Sequence, residues 1–348
     1  MATLATAGSQ ALGVSEVFRY IVRRILITIP LLIVGSFLVF ALVQGMGDPL
    51  GEWKLQKPRE PDEIALAYER IGYNDPFLER YVNWVGGFVQ GDWGTTIIPG
   101  SGVKDVQDEV FHGLWTTFRL VIGAEILALL IGMAVGVIGA VRQYSIFDYT
   151  ATGVAFALFS MPVFCIGLIL KSAAIPFNNF LESIGMDRWI TTAGPPPGGF
   201  SGSFGHQITQ YIGTFLLPTL ALLAIQFALY SRFQRASMLD VLGQDYVRTA
   251  QAKGLSSGRV IFRHAFRNGL IPVLTVFAVN FGSVMGGAVI TETVFNWSGM
   301  GRLLIRSIYE KEVFMVLGVV MVTAVIVVIA NLIADILYAR LDPRIRLG

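Results

Sequence analysis

Long apolar runs alternate with shorter polar stretches along this chain. Six runs, at about 25–45, 118–140, 150–175, 212–231, 271–292 and 313–336, hold few or no charges and are long enough to cross a bilayer. The first, Ile25 to Gly45, has 21 residues. At ~1.5 Å per residue a helix of that length covers the ~30 Å hydrocarbon layer. Helix is the expected form of all six, because open strands leave backbone groups unpaired in lipid. Arg23-Arg24 ahead of the first run resembles the start of a secretory signal. The run is long for one, however, and "VQGMGDP" after it offers no small-residue cleavage site, so a retained span is expected.

The polar intervals divide the rest. Residues 1–18 are small and polar and read as a disordered tail before a first span at 19–45. The segment 46–116 is too long for a bare loop. Within it "PDEIALAYERIG" has Pro61 at a helix start, Asp62 and Glu63 in the first turn and Gly72 as a stop. Ile64, Ala67, Tyr68 and Ile71 fall on one face, and Phe77, Tyr81, Val85 and Phe88 repeat the helical spacing. A small helical cap is predicted there. The interval 176–211 contains "TTAGPPPGGFSGSFG" and is predicted to be a loop.

Composition places the chain in the membrane class, with 54% hydrophobic and 14% charged residues and a mean hydropathy of +0.62. The distribution of charge then suggests an orientation. The N-terminal tail has Arg19, Arg23 and Arg24 against Glu16. Segment 46–116 carries six basic and twelve acidic residues, whereas 232–270 carries seven basic and two acidic. The tail "ARLDPRIRLG" is basic too. Since basic segments stay inside, both termini and the 232–270 loop are expected in the cytoplasm, which six spans permit.

Catalytic and metal chemistry find little support. Cys165 is the sole cysteine, and His112, His206 and His264 lie far apart, which argues against a zinc or redox site. Gly199-Phe200-Ser201-Gly202 near His206 could mark a serine hydrolase, but a Gly/Ser-rich linker explains it without the rigid elbow a nucleophile needs. No phosphate-binding P-loop is present. Glu125 and Lys171 fall inside spans, where a mutual pair or a place on a translocation path is open to them. Glu292 and Asp335, near span ends, are expected to make packing or gating contacts. Gly132 with Gly136, and Gly282 with Gly286, form G-x-x-x-G steps that let helices approach closely, within one bundle or toward a partner.

One interval stands apart. "DYVRTAQAKGLSSGRVIFRHAFRNGLIP", residues 245–272, reads as two short helices hinged at Gly254. Tyr246, Ala250 and Val247 share one side of the first helix. Ser256 or Ser257 should cap the second, which is expected to start near Arg259. Arg259, Arg263 and Arg267 form a basic stripe beside Ile261, Ala265, Phe262 and Phe266, and Pro272 ends the helix. Topology alone needs scattered charges, as at Arg232 and Arg235. A hinged amphipathic pair suits docking into another protein's groove.

This stretch resembles the EAA loop of ABC-transporter permeases in its oligopeptide/dipeptide-importer form, with Arg248-Thr249-Ala250 where the general loop has Glu-Ala-Ala. "GYNDPFLERYVNWVGGFVQGDWGTT", "ETVFNWSGMGRLL" and "ADILYARLDPRIR" resemble further motifs of that subfamily, Ser298 standing where proline is usual. The likeness covers nearly everything after residue 18. It implies an all-α integral membrane protein of six transmembrane helices, the type I ABC importer permease fold, with an extracytoplasmic helical segment (46–116), a permease core at 117–338 and a short cytoplasmic tail at 339–348. It further implies the B-type subunit of a peptide importer in a bacterial inner membrane. Its partners would be a homologous second permease, two cytoplasmic ATPase subunits and an extracytoplasmic peptide-binding protein, alongside membrane lipid and no nucleic acid. ATP and magnesium would sit in the ATPases, and this chain would bind no cofactor and catalyse no reaction. Asp245, Arg248, Thr249, Ala250, Lys253, Gly254, Leu255, Arg259, Arg263 and Arg267 would meet the ATPases. A secondary transporter or channel working without ATPases is the competing reading, and the two differ in whether ATPase subunits copurify with the chain.

Overall fold

In the computed structural model, which describes residues 14–45, 47–55, 60–98, 102–195 and 199–341, the apolar runs are helical. The first described element is α1 (Val14–Gln44), so the tail expected to be disordered through residue 18 is helical from Val14 onward. Residues 1–13 and 342–348 lie outside the described residues.

The cap follows as α2 (Gly51–Leu55), α3 (Pro61–Arg70) and α4 (Phe77–Gln90). Its sequence signals act as expected: Pro61 opens α3, Asp62 and Glu63 occupy its first turn, and Gly72 takes φ +62°. Leu50, Trp53 and Ala67 make a small core for the cap, while Asp48 accepts hydrogen bonds from Lys54 Nζ (2.5 Å), Tyr68 Oη (2.7 Å) and Leu50 N (2.9 Å). α4 lies on α1 through Tyr81, which donates to the Ile33 carbonyl at 2.8 Å, and through Phe40 and Trp84. A hairpin of β1 (Thr95–Ile98) and β2 (Gly102–Asp105), paired Thr95 to Asp105, was not anticipated.

Helix α5 (Val106–Val141) starts directly from that hairpin, so the last eleven residues of the segment read as 46–116 are already helical. It is followed by α6 (Ile146–Ser160), α7 (Val163–Ser183) and α8 (Phe204–Leu242). Two expectations change here. The single span at 150–175 is interrupted at Met161-Pro162, because proline has no N–H for the ladder. Helix then continues to Ser183, and the loop narrows from 176–211 to 184–203.

The remainder comprises α9 (Asp245–Ala252), α10 (Ser257–Arg259), a wide i→i+5 stretch at Val260–Phe266, α11 (Arg267–Gly269), α12 (Ile271–Met285), α13 (Val289–Val294), α14 (Met300–Tyr309) and α15 (Val313–Leu341). The span expected at 271–292 stops at Met285, where Gly286 and Gly287, the latter at φ +129°, turn the chain. Helices α1, α5, α7, α8 and α15 are long and apolar enough to cross a membrane. A sixth span follows if Ser257–Gly269 and Ile271–Met285, bent by 43°, count as one.

Close helix contacts fix the directions. A Cβ on Gly132 would lie 2.9 Å from Tyr230 Cβ, and one on Gly136 would lie 2.7 Å from Gln234 Cβ and the Ser231 carbonyl. Residue numbers rise together, so α5 and α8 run parallel. Gly282 meets Ala330 and Gly286 meets Thr323, so α12 and α15 are antiparallel. Both G-x-x-x-G steps therefore pack within this bundle. Phe40 and Val43 of α1 join Val313, Val316 and Leu317 at the start of α15. The first described residues of α1 and the last of α15 thus lie at the end opposite the cap, with α9 and α10.

Two measurements test this packing. Gly136→Ala should lower the melting temperature of the detergent-solubilised chain, at a cost of roughly 1–3 kcal/mol. Gly153→Ala, at a position with no atom within 4 Å, should leave it unchanged or slightly raised. In the cap, burial works to raise the Asp48 carboxyl, but its hydrogen bonds from Lys54, Tyr68 and Leu50 outweigh burial and hold it below the usual carboxylate value. A depressed carboxyl stabilises above its unfolded pKa, and that contribution fades as pH falls through the folded value. Fluorescence of buried Trp53, isolated by difference from Trp53→Phe, should report cap loosening on acidification below about pH 4. Asp48→Asn should be looser at neutral pH and lack this acid step.

Candidate coupling elbow and buried polar contacts

The basic elbow stands at the far end of α8. Gly243 ends that helix and α9 starts two residues later, carrying exposed Asp245, Arg248 and Thr249 on its outer side. Val247 and Ala250 point inward instead and form a core with Val260, backed by Val241, Leu242 and Leu255. Tyr246, expected beside Ala250, is exposed, and its hydroxyl accepts from Asn268 Nδ2 at 2.8 Å. Gly254 takes φ +76°, the left-handed turn that its position at the hinge suggests.

Ser256 occupies the N-cap position without a side-chain hydrogen bond, and the second helix opens at Ser257 rather than Arg259. Its widened turns keep Ala265 wholly buried among Val137, Ala140 and Met238 of α5 and α8. Gly269 presses on Met238, and its carbonyl accepts from Gln234 Nε2 at 3.3 Å. Lys253, Arg259, Arg263 and Arg267 remain exposed, as does Phe262 at 68%. The elbow is thus two-sided. An apolar base is locked onto the ends of α5 and α8, and a cationic, partly aromatic rim is left free of those helices.

The intramembrane charges do not form the mutual pair that the sequence left open. Glu125, 1% exposed, accepts from Tyr230 Oη at 2.6 Å and from Gln226 Nε2, and Asn280 Nδ2 donates to Tyr230 Oη at 3.1 Å. This ties α5, α8 and α12 together in the interior. Lys171 does not reach Glu125. Its Nζ donates to the Val294 carbonyl at 2.9 Å, where the last residue of α13 leaves an acceptor free, and lies 5.8 Å from the Phe295 ring centre.

Glu292 is completely buried. It accepts from Thr117 Oγ1 at 2.7 Å and from Arg302 N at 2.9 Å, while Met300 N donates to Thr117 Oγ1 at 2.8 Å. Glutamate and threonine together satisfy the first turn of α14, where a negative charge is favoured. A Cβ on Gly299 would come within 2.5 Å of Thr117 Oγ1, and one on Gly301 within 2.6 Å of Val289 Cγ2. These contacts explain the glycines of "SGMGR". The side chain of Asp335 lies outside the described residues.

Sequence reasoning treated Arg232 and Arg235 as topology charges. Arg235 instead forms a fork with Asp148, Nε to Oδ1 at 2.5 Å and Nη2 to Oδ2 at 2.8 Å, which fastens α6 to α8. Asp148, 2% exposed, also accepts from Tyr144 N at 3.0 Å. A lone acid two residues into an apolar helix was the available signal. Near the cap, His206 pairs with Gln210 at 2.8 Å, and no Ser201–His206 hydrogen bond occurs among the described residues.

The bundle and the cap define a predominantly helical protein with five or six helices long and apolar enough to cross a membrane. The sequence profile of the family described as "Binding-protein-dependent transport system inner membrane component" matches residues 128–347, and that of its N-terminal counterpart matches 17–104. The chain belongs to this family. It is a multi-pass membrane permease subunit and not an enzyme. It is similar to the oligopeptide transport system permease protein AppB of Bacillus subtilis, at 37% identity over 94% of this chain and 98% of the relative. It is also similar to the oligopeptide permease OppB of Mycobacterium tuberculosis H37Rv, at 34% over 95% and 99%. The dipeptide permease DppB of Escherichia coli K12 is 35% identical over 94% and 98%.

A double-mutant cycle tests the missed ion pair. Asp148→Asn and Arg235→Gln should each destabilise the chain by on the order of 2 kcal/mol. The double variant should lose much less than the sum, whereas Asp148→Asn with Arg232→Gln should be close to additive in the same thermal melts.

Proposed function

We propose that the chain is half of the translocation unit of an ATP-driven importer of di- or oligopeptides, and that ATPase motion enters it through residues 245–270. The single observation that carries the coupling role is the two-sided elbow. Its base of Val247, Ala250, Val260 and Ala265 is buried against helices that run the length of the bundle. Its rim of Arg248, Lys253, Arg259, Arg263 and Arg267 is exposed. A part so arranged passes displacement to α5 and α8 while offering charge and an exposed Phe262 to a partner.

The remaining assignments rest on this reading. Basic bias puts the elbow and both termini in the cytoplasm and the acidic cap outside. The assembly would contain a homologous second permease, two ATPase subunits and an extracytoplasmic binding protein. ATP and magnesium belong to the ATPases, with no cofactor held by this chain. Peptide cargo follows the names of the similar permeases. Switching the cavity from 1:99 to 99:1 requires ~5.5 kcal/mol of differential contact, so the rim must meet the ATPases differently in their open and closed states. Glu125 and Lys171, which an autonomous secondary transporter could use, are committed to Tyr230, Gln226 and the Val294 carbonyl, and this supports the coupled reading.

Arg263→Glu with Arg267→Glu should leave the melting temperature of the chain near wild type, since both side chains are exposed. ATP-driven peptide uptake by the assembled complex in vesicles should fall at least about tenfold, a loss of ~1.4 kcal/mol in coupling. Gly254→Pro, which forces φ from +76° to a negative value, should uncouple hydrolysis from uptake. Wild-type uptake in both variants, or uptake by vesicles holding this chain alone, would overturn the proposal.

A further inference from the structure

Between α5, α6 and α8, near the elbow, lies a cleft of about 200 Å³. Val135, Ala151, Ala155 and Phe156 give it an apolar lining, and Arg232 and Arg235 stand in its polar part. The two arginines are used differently. Arg235 is spent on Asp148, which also takes the Tyr144 N–H. Arg232 rests on two rings, its guanidinium carbon 4.7 Å from the Phe156 centre and 4.8 Å from that of Phe159. No hydrogen bond or ion pair to a described residue accompanies those contacts, so its N–H donors are left over. Phe156 and Phe159 are themselves 55% and 51% exposed, on the outside of the bundle.

Depth singles out the same place. Residues 207–231 of α8 contain no charged side chain, and Arg232 is the first to follow. On α5 the uncharged run 126–141 ends at Arg142, and on α6 and α7 the uncharged run 149–170 begins after Asp148. Asp148, Arg232 and Arg235 therefore lie within about one helical turn of each other, where hydrocarbon gives way to headgroups, and Arg142 lies further toward the elbow end. That level carries two positive charges and one negative charge, and the negative one is already paired with Arg235. A half-buried guanidinium with free donors, above an apolar cleft, fits a phosphodiester joined to an acyl chain.

We propose that this cleft binds an anionic phospholipid of the bilayer, with the lipid phosphate on Arg232 and an acyl chain along Val135, Ala151 and Phe156. The excess positive charge selects an anionic over a zwitterionic headgroup. Occupancy would bridge α6 to α8 beside the Arg235–Asp148 fork, at the level where the elbow is rooted. The site depends on the chain being in a membrane and not on the importer reading, so it stands or falls separately from coupling.

The test uses the full chain in micelles supplied with equimolar phosphatidylglycerol and phosphatidylcholine, with retained lipid counted by native mass spectrometry. The chain should retain phosphatidylglycerol in preference to phosphatidylcholine, and Arg232→Gln should reduce that preference about fivefold. Arg232→Lys, which keeps the charge but not the fork, should retain part of it. Ala151→Phe fills the cleft without touching the arginine and should also lose the preference, which covers the case in which Arg232→Gln fails to fold. Arg302→Gln, at the cap end, should behave as wild type, and soluble glycerol phosphate should not compete. Equal retention of the two lipids by the wild-type chain would overturn the proposal. So would an unchanged preference in Arg232→Gln together with a lowered melting temperature, because Arg232 would then serve only to pack on Phe156 and Phe159.

Discussion

The close approach of α5 and α8 is the constraint from which the rest of the structure follows. Gly132 and Gly136 bring backbone against backbone over about one helical turn, with no side chain between. In lipid no hydrophobic force separates helix–helix from helix–lipid contact, so such packing depends on small residues and satisfied polar groups. Both occur along this one seam. Tyr230 lies beside Gly132 and reaches Glu125, and Gln234 lies beside Gly136 and reaches the Gly269 carbonyl. Gly139, one turn further, leaves room for Asp148 and its arginine. A wider separation would break the Glu125 contacts, the Asp148 fork and the footing of the elbow together.

Charge is handled by a consistent rule across the molecule. Four charged side chains drawn into the bundle have specific partners: Glu125 has Tyr230 and Gln226, Asp148 has Arg235, Lys171 has a helix C-terminus, and Glu292 has a helix N-terminus. These contacts hold elements in place, and none leaves a charge free for a moving solute or proton. The elbow cations are the converse. Lys253, Arg259, Arg263 and Arg267 are exposed, although Val260 and Ala265 between them are buried. Unpaired charge is cheap in water, so a row of exposed cations along the rim of a well-anchored element argues for a surface meant to be met by another chain.

Much of this was legible in the sequence, and the failures have physical causes. Uncharged runs marked the helices, and the basic bias and Gly254 hinge marked the elbow, because solvation and left-handed backbone act locally. Span limits failed where a single residue interrupts an apolar run. Pro162 brings no N–H to the ladder and Gly287 turns the chain at φ +129°, and neither adds a charge that would mark the break in its apolar run. The hairpin at 95–105 was missed because four-residue strands carry too short an alternation to read. Partners of buried charges were missed for another reason. Arg235 meets Asp148 from 87 positions away, and Glu292 meets Thr117 from 175. The parallel seam of α5 and α8, set by glycines that adjoin the Asp148–Arg235 pair, and the packing of α13 on α5 determine which acid meets which donor.

The widened turn at Val260–Phe266 shows how the elbow can be both anchored and exposed. A turn of ~3.6 residues would step each side chain ~100° around the axis, whereas i→i+5 bonding shortens that step. Over four residues the tight form overshoots a full circle and the wide form falls short of it, so Arg259, Arg263 and Arg267 stay on one side either way. The buried side is more sensitive to the change. Val260 reaches the α9 core and Ala265 reaches the ends of α5 and α8, five positions apart and both essentially inaccessible. The wide turn aligns these two anchors, which a regular helix would place about 140° apart. The helical register is therefore set by what the elbow must grip, and the four-residue spacing of the arginines lets the rim tolerate it.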